Sequence, residues 1–109
     1  MLAVGNCRIF LYGRPVDMRK SFEGLSALVD YEFNGQLLSP SYFIFMNKRR
    51  NMVKILYWDR DGLAIWYKRL EKGTFRKFNH QSSEIDRRTL SLLLEGVEPK
   101  RLSHRFSIN

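Results

Sequence analysis

With 109 residues, 44% of them hydrophobic, and a formal charge of +8, the chain suits one globular domain with its own core, and a disordered composition is excluded. Nothing approaches the roughly 18 apolar residues of a membrane span, and a single Cys7 excludes an internal disulfide. MLAVGNCRIFLYG has no cationic start, and Asn6 and Arg8 interrupt it; no secretory leader and no membrane partner are therefore expected, and the lone thiol suits a reducing cytoplasm.

RIFLYG (Arg8 to Gly13) reads as a short strand ending at a Gly-Arg-Pro turn. Asp17 is expected to cap a helix, with Met18, Phe22, Leu25 and Val29 along one face and Asn34-Gly35 as its left-handed stop. Gly24 falls mid-helix, where it costs about 1 kcal/mol relative to Ala; close approach of a strand backbone would account for it. Arg19 and Lys20 fall in the first turn, where the helix dipole disfavours cations by about 0.3–1 kcal/mol. Two cations beside free amides there would bind phosphate; an ion pair from Arg19 to Glu23 is the plainer explanation.

Tyr42 to Met46 and Met52 to Trp58 are aromatic and β-branched, so MNKRRNM between them reads as a hairpin tip. Asp59-Arg60-Asp61-Gly62 fits a type I turn with a following bulge, and Leu63 to Lys68 returns. That turn pairs Asp59 with Leu63, Tyr57 with Ile65, Ile55 with Tyr67 and Val53 with Arg69. It gathers Lys54, Leu56, Trp58, Trp66 and Lys68 on the opposite face; one residue of slippage would exchange the partners. GTFRKF (Gly73 to Phe78) adds a last strand.

Asp86 caps a second helix with apolar positions Leu90, Leu93, Leu94 and Val97, Ile85 stapled onto Leu90, and Gly96 as its end. PKRLSHRFSIN has no usable period, so a flexible tail is expected over residues 99–109. The expected architecture is a single α+β domain over residues 1–98: an antiparallel sheet, a meander of about four to five strands, backed by two helices.

Residues 47–80 hold ten Lys/Arg against three Asp/Glu, whereas residues 1–46 hold four of each. Segregated positive charge favours a polyanion, with DNA or RNA first. The candidate phosphate contacts are Lys48, Arg49 and Arg50 at the tip, extended by Lys54, Lys68, Arg69 and Arg60, with Arg19 and Lys20 as a second contact. Trp58 and Trp66 either stack on bases or anchor a protein partner; packing in the core is the plainer reading for both. KRLEK with Arg76 and Lys77 adds charge but equally suits a solvated edge strand.

Little points to catalysis. Cys7, His80 and His104 are scattered, and no zinc-type cluster or phosphate-binding glycine loop is present. Asp59 and Asp61 have spacing a divalent metal would accept, but turn chemistry explains all four residues of Asp59-Arg60-Asp61-Gly62. No enzyme, cofactor, metal or small-molecule substrate is expected.

Three stretches resemble one known family: PVDMRKSFEGLSALV (Pro15 to Val29), FIFMNKRRNMVKILYWDRDGLAIWYKRLEKGTF (Phe43 to Phe75) and DRRTLSLLLEGVE (Asp86 to Glu98). They look like the small accessory protein, also called TnpB, from the second open reading frame of the insertion-sequence-sixty-six family of bacterial transposable elements. The family often has Trp-Pro after its Gly-x-Phe, where this chain has RKFNH. The resemblance implies a protein encoded beside a separate transposase and needed for efficient movement of the element. It supplies no catalytic residues.

Overall fold

The computed structural model describes residues 7–35, 40–77 and 81–97. In chain order they form β1 (Arg8–Leu11), α1 (Phe22–Phe33), β2 (Ser41–Met46), β3 (Met52–Asp59), β4 (Gly62–Arg69), β5 (Thr74–Phe75), β6 (Ser83–Ile85), α2 (Arg87–Leu94) and β7 (Gly96–Val97). The principal sheet has the order β4-β3-β2-β1-β6, and β5 pairs with β7 apart from it. The domain is α+β, and the β2-β3-β4 meander forms as expected.

The sheet is not purely antiparallel. β1 runs parallel to β2, with Arg8 opposite Ser41 and Leu11 opposite Ile44. Two neighbouring parallel strands need a long crossover between them, and α1 lies on that crossover. On its other side β1 pairs antiparallel with β6, Ile9 opposite Ile85. β1 is therefore an interior strand, which explains why Ile9, Phe10 and Leu11 are all buried.

Alternation along the strands creates two cores. On one face Phe10, Phe43, Phe45 and Leu56 pack against Leu25 and Val29 of α1. On the other, Ile9, Leu11, Ile44, Val53 and Ile55 pack against Leu90 and Leu93 of α2 and Phe75 of β5. The two helices thus cover opposite faces. Cys7 is a free thiol packed against the second core. Among the described residues no helix is long and apolar enough to cross a membrane.

The stop of α1 and the start of α2 follow local chemistry. Asn34, at φ 51°, ends α1 in the left-handed conformation. Asp86 caps α2, its carboxylate accepting from the Thr89 N–H at 2.7 Å. The start of α1 differs from expectation: Ser21 is its N-cap, without a side-chain cap bond. Asp17 instead organises a turn upstream, accepting from the Arg19 N–H at 2.9 Å, so Met18, Arg19 and Lys20 precede the helix. A Cβ at Gly24 would meet the Lys20 side chain at 3.2 Å rather than a strand backbone. Gly96 does not end α2, which closes at Leu94, but lies in β7. Phe78, His80, His104 and the tail from residue 99 lie outside the described residues.

The β3–β4 register is one residue away from the expected one. Asp59 stands opposite Gly62, Tyr57 opposite Ala64, Ile55 opposite Trp66 and Val53 opposite Lys68. A bulge needs its glycine left-handed, but the positive φ, 61°, belongs to Arg60. The loop is therefore two residues long, with the Asp61 N–H donating to the Asp59 carbonyl at 2.6 Å. The slip places Trp58 and Lys54 on the α1 face and Trp66 and Lys68 on the α2 face.

Candidate functional site

The loop between β2 and β3 is tied down at both ends. The Asn47 side-chain oxygen accepts from the Asn51 and Met52 N–H groups, each at 3.0 Å, and its amide donates to Asn51 Oδ1 at 2.7 Å. The Arg50 N–H donates to the Asn47 carbonyl at 3.1 Å, and Arg50 takes a left-handed φ of 57°. Two asparagines flanking the cations thus form a staple, and Lys48 and Arg49 project from it into solvent.

Main-chain bonds bring further cations to this tip. The Phe75 N–H donates to the Arg50 carbonyl at 2.6 Å, and the Phe75 ring is anchored in the core. Arg76 and Lys77, next in the chain, therefore stand beside Arg50. The Tyr12 and Val16 N–H groups bond to the Ile44 and Met46 carbonyls at 2.9 and 2.8 Å. Arg14 lies between them, and the Asp17–Arg19 turn follows. Sequence reasoning missed Arg14 and left Arg76 and Lys77 outside the site, because only these long-range bonds bring them to residues 48–50.

The tip separates two concavities. One, of about 320 Å³, is lined by Arg14, Lys48, Arg50, Arg76 and Lys77 over Leu11, Met46 and Leu93. The other, shallower and of about 660 Å³, takes in Arg19, Lys48 and Arg49 with Asp17, Met52 and Tyr67. Carboxylates pair with Arg14 (Glu32, 3.3 Å), Arg19 (Asp17, 2.7 Å), Arg69 (Glu71, 3.2 Å) and Arg76 (Glu95, 3.5 Å). Such surface pairs neutralise little, each worth about 0–1 kcal/mol. Among the described residues no carboxylate pairs with Lys48, Arg49, Arg50 or Lys77. Arg50 Nε is buried and has no hydrogen-bond acceptor among the described residues.

The remaining candidates are dispersed. Lys54 is only 8% exposed; its ammonium donates to the Met18 and Lys20 carbonyls at 2.8 and 2.7 Å and lies 4.7 Å from the centre of the Tyr67 ring. Arg69 stands opposite Met52, close to the tip, and Lys68 opposite Val53 on the other face. Lys20 precedes α1, its stem against Gly24. Arg60 follows β3, whose far end at Asp59 is about 23 Å from Met52 at the rise of an extended strand. Trp58, 39% exposed, donates its indole N–H to the Arg60 carbonyl at 2.9 Å, whereas Trp66 packs against the α2-side core. The mixed surface of rings and cations expected from both tryptophans and both lysines is not formed.

Among the described residues no third His, Cys, Asp or Glu joins Asp59 and Asp61 into a group that could hold a metal.

A family model described as IS66 Orf2 like protein matches residues 7–104. The chain is 29% identical over 100 residues to uncharacterized protein y4jC of Sinorhizobium fredii (strain NBRC 101917 / NGR234), covering 90% of this chain and 86% of that protein. It is 26% identical over 95 residues to uncharacterized protein y4hO of the same strain, covering 85% and 83%. No solved structure matches the chain.

Proposed function

Because the chain belongs to the IS66 Orf2-like family of transposable-element accessory proteins, we propose that it assists transposition by holding DNA phosphates at the stapled tip between β2 and β3. The observation that carries this reading is the cluster of Lys48, Arg49 and Arg50, with Lys77 beside it, on a loop fixed by Asn47, these cations pairing with no carboxylate among the described residues. Arg19 and Arg69 extend the surface and Lys20 lies at its margin, whereas Lys68 is carried on the other face of the sheet. Lys54, enclosed and already bonded, and Arg60, at the far end of the sheet, are left out of it. Phosphate contacts fix position and give salt-dependent affinity without reading sequence. With every proposed contact made to phosphate, weak sequence preference is expected.

Titrating duplex DNA at several salt concentrations tests the reading. Replacing Lys48 and Arg49 by Ala and Arg50 by Asn should flatten the slope of log K against log salt by up to about three. An unchanged slope in a folded variant would eliminate the tip as the contact.

One observation favours a second reading, docking on the transposase of the same element without direct DNA contact. Trp58 and Tyr67, 39% and 52% exposed, lie on the same sheet face, and β4 is a margin of the sheet; exposed aromatic rings commonly anchor partners. Transposase capture that survives nuclease and high salt, and is lost in Trp58→Ala, would favour it.

A further inference from the structure

The 320 Å³ concavity has two chemistries. Its floor is carbon, from Met46 and Pro15 over the buried Leu11 and Leu93, and its rim is cationic, from Arg50, Arg76 and Lys77 with Lys48 and Arg14; among the described residues no carboxylate lines it. A purely apolar ligand would leave Lys48, Arg50 and Lys77, which pair with no carboxylate among the described residues, unmatched. Its volume is at the small end of ligand sites, about 300–1,000 Å³, and far too small for a duplex.

We propose that this cleft takes one unpaired nucleotide of a DNA strand, its base against Met46 and Pro15 and its phosphate at Arg50, Arg76 and Lys77. The inference rests on the reading that the tip meets DNA, and narrows it to strands with an unpaired end or gap. Arg50 is suited to the role. Its main chain is held by bonds to Asn47 and Phe75, while its buried Nε has no acceptor among the described residues; a phosphate oxygen would supply one after a change of rotamer. The anchored main chain limits the freedom Arg50 loses on binding to its side chain, and a guanidinium matches a phosphate edge with two parallel bonds. The base needs no specific partner on a carbon floor, so all four bases are accepted.

The full chain is titrated with thymidine monophosphate, thymidine and inorganic phosphate, followed by amide NMR shifts. It is then titrated with a blunt duplex and the same duplex carrying a single-stranded overhang. The nucleotide should bind at least about tenfold tighter than phosphate or thymidine alone, since it engages both floor and rim. Shifts should fall on residues 11–15, 46–50 and 76–77. The overhang duplex should bind more tightly than the blunt one, and Lys77→Glu or Arg50→Asn should abolish both preferences. Lys77 is exposed and Asn tolerates a left-handed φ, so both variants should fold. If the nucleotide binds no better than phosphate, or overhang and blunt duplexes bind alike, while duplex binding keeps its salt slope, this inference falls and the proposed function stands. Absence of salt-dependent binding to every DNA overturns both.

Discussion

The ammonium of Lys54 donates to the main-chain carbonyl of Lys20 at 2.7 Å, fastening the centre of the sheet to the segment that leads into α1. A second bond, to the Met18 carbonyl at 2.8 Å, and the adjacent Tyr67 ring complete its surroundings. The lysine is buried because its partners are carbonyls, which stabilise a cation without an opposing charge. Lys54→Met keeps the length of the side chain and strands both carbonyls. It should destabilise the fold by about 1–3 kcal/mol in urea unfolding and loosen residues 17–21 in hydrogen exchange. Its DNA salt slope should match the parent's; a loss of one contact's worth would return Lys54 to the interface.

Asn47 supplies three of the side-chain hydrogen bonds that shape the tip. Asn47→Ala should cost about 1–3 kcal/mol and weaken DNA binding although it removes no charge. Full affinity in this variant would show that the cations act without a fixed loop.

Arg60 has a φ of 61° inside a three-residue turn closed by the Asp61 N–H and the Asp59 carbonyl. A left-handed conformation costs an L-residue about 1–2 kcal/mol, and Gly escapes that at an entropic cost of about 0.5–1 kcal/mol. Arg60→Gly should therefore raise stability by up to about 1 kcal/mol, keeping the Trp58 bond to the residue 60 carbonyl. A lower urea midpoint would mean that the arginine side chain contributes something its geometry does not reveal.

The Asp17 carboxyl is lowered from 3.8 to about 2, chiefly by the Arg19 guanidinium donating to it and next by the Arg19 N–H. Glu84, bonded by the Arg8 side chain, and Asp86, bonded first by the Thr89 side chain and next by the Thr89 N–H, are lowered in the same direction. A carboxyl acidified by folding stabilises the folded state above its unfolded pKa. Here that contribution is present above about pH 4 and disappears as pH falls toward about 2. Stability should decline through that acid window and less steeply in Asp17→Asn. An NMR titration of Asp17 with its midpoint near 4 would contradict the pairing.

Several features were legible because they are settled within a few residues. Asp86 three positions before Thr89 makes a cap, Asn34-Gly35 ends a helix, and the spacing of turns imposes the β2-β3-β4 meander. Even the slippage of β4 was foreseeable as an alternative, though not its direction, since the conformation of Arg60 rather than Gly62 decides it. The charge excess after residue 46 was equally plain, and with it the basic tip.

Only tertiary contacts decided which cations share a surface. Lys54 left it because two carbonyls from residues 18 and 20 came within reach. Arg76 joined because the Phe75 main chain bonds to Arg50, and Arg14 because the chain after β1 runs alongside the end of β2. The parallel pairing of β1 with β2 belongs with these. Chain direction and strand order depend on which long-range bonds and buried faces compete best, and local residue preferences carry no record of that competition.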